Sequence, residues 1–62
     1  MYDYETNEMN YTDMARFETF FENEIGTEYE VNESTIGVYY AVCCELTGRE
    51  LRMIDKYFDS NK

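Results

Sequence analysis

The stretch from Thr12 to Ile25 constrains the fold most, because its apolar residues recur at the spacing of one helix face. These residues are Met14, Phe17, Phe20, Phe21 and Ile25. Steps of three and four residues place side chains on the same side of an α-helix. Thr12 is a suitable N-cap, and Gly26 follows as a C-terminal stop. The pattern therefore predicts an amphipathic helix over residues 12–25.

A second amphipathic helix is predicted from about Thr47 to Phe58. Thr47 and Glu50 have the spacing of a capping box, in which each side chain accepts a hydrogen bond from the backbone N–H of the other residue. The apolar stripe that follows consists of Leu51, Ile54, Tyr57 and Phe58. This helix balances its charges, because its acids alternate with arginine and lysine at helical spacing.

The segment between these helices allows two interpretations. Residues 27–33 alternate polar and apolar side chains, which predicts a short strand or an extended connection. The β-branched and aromatic content of residues 35–46 favours a strand, paired with Tyr29 and Val31 across a turn at 32–34. Its length favours a buried helix that is apolar all round. We expect a helix, because strands usually run about four to eight residues.

These elements predict a mainly α fold, a small three-helix single domain over residues 1–62. Its core is expected at Phe17, Phe21, Tyr40, Leu51 and Ile54. The alternative is an α+β fold in the order helix, β-hairpin, helix. Residues 1–10 are polar and irregular, and we treat them as a flexible N-terminal tail. A chain of this length holds one small core, to which its seven Tyr and four Phe contribute large buried areas.

The charge of the chain is strongly negative and unevenly placed. Fourteen acids against five bases give a net charge of −9, and Arg16 is the only base before residue 47. The region from Phe17 to Glu33 contains no base and six glutamates: Glu18, Glu22, Glu24, Glu28, Glu30 and Glu33. Such a surface repels nucleic acid and anionic membranes, and it attracts proteins that have basic grooves.

The chain carries no motif of catalysis or metal binding. It has no histidine, which is the commonest general base and a frequent metal ligand. Cys43 and Cys44 are adjacent, and a disulfide between them would be strained, so we expect free thiols. No apolar run approaches the roughly 18 residues of a membrane span. We therefore expect a cytoplasmic protein that is not an enzyme, needs no cofactor or metal, and binds neither membranes nor nucleic acid directly.

The six glutamates, with Tyr29 as an aromatic anchor, form the predicted partner-binding site. Carboxylates one helical turn apart would make an anionic row comparable to a DNA strand, which carries one charge per about 3.4 Å. A protein that grips phosphates with Lys and Arg would accept this row instead. The leading hypothesis is therefore a DNA or RNA mimic that blocks a nucleic-acid-binding protein.

In charge and length the chain resembles the small acidic inhibitors carried by bacteriophages. These include anti-restriction proteins, anti-CRISPR proteins and inhibitors of DNA-repair enzymes. The resemblance implies a viral protein that acts in the host cytoplasm on a nucleic-acid-binding host protein.

Other interpretations remain open at the level of sequence. A regulatory adaptor would dock through the apolar face of the C-terminal helix, with the acids serving solubility alone. A helix-turn-helix over residues 34–58 would present Arg49, Arg52 and Lys56 to DNA, although a net charge of −9 opposes contact with phosphates. We also consider a homodimer.

Overall fold

A computed structural model describes residues 1–60, which form two helices and a four-stranded antiparallel sheet. The elements are β1 (Tyr2–Glu5), β2 (Met9–Asn10), α1 (Tyr11–Glu24), β3 (Tyr29–Thr35), β4 (Val38–Leu46) and α2 (Gly48–Ser60). The fold is therefore α+β, and the prediction of a mainly α three-helix bundle is wrong. The end of the expected domain, residues 61–62, lies outside the described residues.

The segment that we expected to be a buried helix forms the central strand, β4. It pairs with β3 in a hairpin whose turn is Ile36-Gly37 rather than residues 32–34. Gly37 has φ 79°, a left-handed conformation that glycine adopts without steric cost. The β-branched and aromatic residues of this segment thus outweigh the argument from its length. The order helix, hairpin, helix matches residues 11–60 but lacks the two N-terminal strands.

The N-terminal residues, which we expected to be a flexible tail, belong to the sheet. β1 and β2 follow one another along the same edge of β4, where Met9 pairs with Tyr39. Thr6 bridges the gap between the two strands. Its N–H donates to the carbonyl of Ala41, and its hydroxyl accepts from the N–H of Ala41, both at 2.9 Å. Because β3 pairs with the other edge, β4 is held on both sides.

Both helices pack on one face of the sheet and bury it. The core consists of Met14, Phe17, Phe21, Ala41, Cys43, Leu46 and Ile54. The ring of Phe17 joins the two helices, with its centroid 5.9 Å from that of Tyr57 and 5.4 Å from that of Phe58. Tyr40, which the three-helix prediction placed in the core, lies outside this cluster because β4 turns it to the opposite face.

Both predicted helices are confirmed, with small shifts at their ends. α1 begins earlier than expected because Asn10, not Thr12, is its N-cap, and the Asn10 Oδ1 accepts from the N–H of Asp13 at 2.8 Å. The capping box of α2 is present. The N–H of Thr47 donates to Glu50 Oε1 at 2.8 Å, and the N–H of Glu50 donates to Thr47 Oγ1 at 3.2 Å.

A bulge near the end of β4 turns Leu46 into the core. Tyr2 pairs with Leu46 and Tyr4 pairs with Cys43, so β4 has one more residue than β1 across this interval. The extra residue is absorbed at Glu45, which has φ 58°. In an unbroken strand Cys43 and Leu46 would point to opposite faces, whereas the bulge allows both to face the helices.

Candidate functional site

The face of the sheet that points away from both helices, here called the outer face, carries an apolar stripe. The stripe consists of the outward residues of β4: Val38, Tyr40, Val42 and Cys44. All are half-buried and lie outside the core cluster on the helix side. Solvated faces of antiparallel sheets usually carry polar residues at such positions. An aliphatic and aromatic stripe in this place is typical of a protein-binding surface.

Carboxylates border the apolar stripe on both sides. Glu5 of β1 and Glu30 of β3 pair with opposite edges of Val42. Asp3 lies two residues before Glu5, and Glu28 lies two residues before Glu30, so each shares the face of its neighbour. All four are exposed. We call Asp3 and Glu5 the β1 rim, and Glu28 and Glu30 the β3 rim.

Cys44 lies between the two rims at one end of the stripe. Burial raises the pKa of the Cys44 thiol, and the carboxylates of Asp3, Glu28, Glu45 and Glu30 raise it further. Nearby negative charges disfavour a thiolate. The thiol therefore lies in a region of negative electrostatic potential, to which carboxylates on β1, on the β3 rim and at the β4 bulge all contribute.

Two open hollows lie along the outer face. The one at the Cys44 end has a volume of about 340 Å³ and is lined by Glu28, Tyr29, Glu30, Val42 and Cys44. The other has a volume of about 410 Å³ and is lined by Glu5, Thr6, Asn7, Glu8, Ser34 and Tyr40. Both combine carboxylates with an apolar residue of the stripe, and both open to solvent. They suit the side chains of a protein partner better than an enclosed small molecule.

Three of the predicted site residues meet between α1 and β3. The Tyr29 hydroxyl donates to Glu22 Oε1 at 2.9 Å and has a longer contact with Glu18 Oε1 at 3.5 Å. The Tyr29 ring packs on Phe21, with centroids 5.0 Å apart. Burial, the hydrogen bond to Glu22 and the charges of both glutamates raise the pKa of Tyr29 to about 12. Tyr29 thus connects β3 to α1 instead of standing free as an anchor.

Glu24 and Glu33, also predicted as site residues, lie in separate surroundings. Glu24 ends α1 and lines hollows beside α2 together with Arg49 and Lys56. Glu33 lies near the hairpin turn, where its Oε2 accepts from the N–H of Gly37 at 3.4 Å. The six glutamates therefore do not form one row. Two lie on α1 beside Tyr29, two form the β3 rim, and two stand apart.

Asp3, Glu5 and Glu45 contribute to the outer face but were not predicted from the sequence. The alternation of tyrosine and acid over residues 2–5 is the local signal that would have found the β1 rim, since it is the pattern of a short strand. No local pattern indicates the bulge at Glu45. The apolar stripe could not be predicted from a helix over residues 35–46, because its four residues share a face only in a strand.

The fold disfavours two of the alternative interpretations, the adaptor that docks through α2 and the helix-turn-helix. The apolar face of α2 faces the interior, where Ile54 is fully buried and Leu51, Tyr57 and Phe58 pack against the core. An adaptor that docks through this face would have to open the core. The helix-turn-helix over residues 34–58 lacks its first helix, because residues 38–46 form β4.

Other kinds of site find little support in the described part of the chain. Among residues 1–60, no group of three or more His, Cys, Asp or Glu side chains is placed to hold a metal ion. A hollow on the helix side, beside Arg16, has a volume of about 200 Å³. Ligand pockets usually measure about 300–1,000 Å³ and are enclosed, whereas the larger hollows beside α2, of about 420 and 400 Å³, are open to solvent. None of the helices in these sixty residues is long and apolar enough to cross a membrane.

No family model, curated protein or solved structure matches this chain. The chemistry of its own surfaces is therefore the basis for inferring what it does. By fold it is a small α+β domain with one face of its sheet left uncovered by helices.

Proposed function

We propose that this protein is a small non-enzymatic inhibitor that binds a nucleic-acid-binding protein in place of nucleic acid. The observation that supports this best is the placement of the two acidic rims on opposite sides of one end of the apolar stripe. With a net charge of −9, the chain is attracted to a basic groove before contact is made. The proposal includes the phage-type role in the host cytoplasm, where the target is a restriction, CRISPR or repair protein.

The spacing of the rims supports a likeness to duplex nucleic acid. Residues two apart on a strand are separated by about 6.6 Å. This is about twice the 3.4 Å rise between charges on one DNA strand. The rims lie on either side of β4, so they are about 9.6 Å apart, near the 12 Å width of a major groove. Two rows at this separation resemble a duplex more than the single row predicted from the sequence.

Glu18 and Glu22 add negative charge beyond the β3 rim. Their contacts with the Tyr29 hydroxyl hold them near one position. Charged side chains that are already ordered lose less conformational freedom when a partner binds. These two glutamates therefore fit the proposed role as a second, pre-arranged contact for basic side chains.

Competition with nucleic acid tests the proposal. Immobilised protein is incubated with a lysate of the organism that serves as its host, and bound proteins are eluted with short DNA or RNA duplexes. Buffer of the same ionic strength serves as the control, and mass spectrometry identifies what is released. We expect nucleic-acid-binding proteins to be released by duplex. Captured proteins that duplex does not displace would contradict the proposal.

A pair of charge-matched variants tests whether the acidic surface is responsible. The first changes Glu18, Glu22, Glu28 and Glu30 to Gln, which keeps an acceptor for Tyr29. The second also neutralises four acids, but these lie on α1 and α2 away from Tyr29 and from the rims. Its changes are Asp13→Asn, Glu24→Gln, Glu50→Gln and Asp55→Asn. We expect the first to weaken binding at least about tenfold and the second to change it less than about twofold. Equal losses would show that only net charge matters.

A further inference from the structure

The apolar stripe is the part of the outer face that imitation of phosphates does not explain. A surface that needed only charge would carry polar residues between its rims. We propose that the outer face is a cradle for one amphipathic α-helix of the partner, a helix with Lys or Arg along both flanks. This inference rests on the proposed function and deepens it, because it names the element of the partner that is bound.

The dimensions of the cradle fit one helix. The β1 and β3 rims are about 9.6 Å apart, since each strand lies about 4.8 Å from β4. A helix with its side chains is about 10–12 Å across. From Val38 to Cys44 the stripe spans about 20 Å, the length of about 13 helical residues. A helix along β4 would therefore set its apolar face on the stripe and its two flanks against the two rims.

The Cys44 end of the stripe is more acidic than the Val38 end, which favours one orientation of the partner helix. Both rims lie at the end of the stripe occupied by Val42 and Cys44. At the other end the outward residues of β3 are uncharged, with Asn32 opposite Tyr40 and Thr35 opposite Val38, while Glu8 lines the hollow beside Tyr40. The cations of the helix should therefore be concentrated over the Cys44 end. Its apolar residues should extend further, toward Val38.

Charge complementarity selects this occupant over the others. A second copy of the chain would bring its own rims against these rims, and like charges in an interface are strongly unfavourable. Nucleic acid would be repelled by the same carboxylates. A basic amphipathic helix satisfies both features of the outer face, because its cations pair with the rims while its apolar residues cover the stripe.

A synthetic peptide of about 14 residues, with Leu along one face and Lys along both flanks, is the probe. One control peptide carries Glu in place of Lys, and another has the same composition in scrambled order. We expect the probe to shift the NMR signals of outward residues on β1, β3 and β4. The Glu peptide should not bind, and the scrambled peptide should bind several-fold more weakly. Shifts confined to α1 and α2, or equal binding of the scrambled peptide, would overturn the proposal.

Matched variants locate the contact. Glu5→Gln with Glu30→Gln should weaken peptide binding at least about tenfold. Asp13→Asn with Asp55→Asn, two exposed acids on the helices, changes the net charge equally and should change binding less than about twofold. Val42→Thr keeps the shape of the side chain, adds a hydroxyl to the stripe and should weaken binding at high salt as well. Bound peptide should also slow alkylation of Cys44. If the rim pair and the control pair have equal effects, the cradle is wrong.

The cradle and the proposed function fail in different ways. If duplex displaces the natural partner, but Glu5→Gln with Glu30→Gln leaves that partner bound, the function stands and the cradle is wrong. If the peptide binds the outer face as expected, but the natural partner does not bind nucleic acid, the cradle stands and the inhibitory function is wrong.

Discussion

Glu5 and Glu30 lie on opposite sides of Val42, and each pairs with it across the sheet. They belong to β1 and β3, which have no ladder with each other, so β4 alone brings them to about 9.6 Å. This relationship produces two rims with an apolar floor between them. It persists only while the N-terminal segment stays paired with β4, and Thr6 is a main link in that pairing.

Thr6→Val should destabilise the fold although it keeps the shape of the side chain. The Thr6 hydroxyl accepts from the buried N–H of Ala41 at 2.9 Å, and Thr6 itself is 5% exposed. Valine would leave that donor unpaired, at a cost of about 1–3 kcal/mol. Urea denaturation measures the free energy of unfolding. Amide exchange at Ala41 should accelerate in Thr6→Val but not in Thr6→Ser, and equal exchange in both would exclude this role of the hydroxyl.

Gly37 and Gly48 should respond in opposite directions to alanine. A Cβ at either position meets nothing within 4 Å, so the backbone decides the outcome. Gly37 has φ 79° in the hairpin turn, where alanine costs about 1 kcal/mol. Gly48 begins α2, where alanine should stabilise by about 0.4–1 kcal/mol. In thermal unfolding, Tm should therefore be lower than in the wild type for Gly37→Ala and higher for Gly48→Ala. Shifts of the same sign would contradict the left-handed conformation of Gly37 in the turn.

The two helices could be predicted because each has a complete helical pattern and local caps, whereas β4 has neither. A half-buried strand shows alternation, but β4 is apolar on both faces. Ala41 and Cys43 enter the core, while Val42 and Cys44 face outward. The outward apolar residues that made β4 resemble a buried helix are the same ones that make the outer face a candidate docking surface.

The candidate site could be predicted only in part. Glu28 and Glu30 could be predicted as site residues because they belong to a run of acids in the sequence. Strand geometry then separates them from Glu33, since successive side chains point to opposite faces. Asp3 and Glu5 could not be placed beside them, because the pairing of β1 with β4 joins residues that are distant along the chain.

Cys44 should react with N-ethylmaleimide before Cys43 does. Cys43 is fully buried, and burial with the neighbouring Cys44 raises its pKa to about 11. Cys44 is half-buried on the outer face, although burial and nearby carboxylates raise its pKa as well. Because the thiolate is the reactive form, both should react slowly at neutral pH. Tandem mass spectrometry distinguishes the two adducts.

The variant Glu28→Gln with Glu30→Gln is the matched test of the electrostatic cause. Removing two carboxylates lowers the pKa of Cys44, which increases its thiolate fraction. Alkylation of Cys44 should therefore accelerate, while Cys43 keeps its rate. An unchanged rate at Cys44 would mean that the β3 rim does not act on the thiol.

Tyr29 should couple folding to pH at the alkaline end. Its pKa is about 12 in the folded protein, against about 10 for an unfolded tyrosine, so the folded state holds the phenolic proton more tightly. The resulting stabilisation is fully present below about pH 10 and is lost as pH rises through about 12. Tyr29→Phe has no proton to lose. The free energy of unfolding should therefore fall more steeply over this range in the wild type than in Tyr29→Phe.

The hydrogen bond to Glu22 supplies the control for this coupling. Glu22→Gln keeps an acceptor at the same place but removes its charge, so the pKa of Tyr29 should move back toward 10 while the ring stays packed on Phe21. Absorbance of the phenolate measures that pKa directly, with Tyr29→Phe identifying the signal. If Glu22→Gln leaves the titration unchanged, burial and Glu18 hold the proton, and Glu22 does not act on Tyr29.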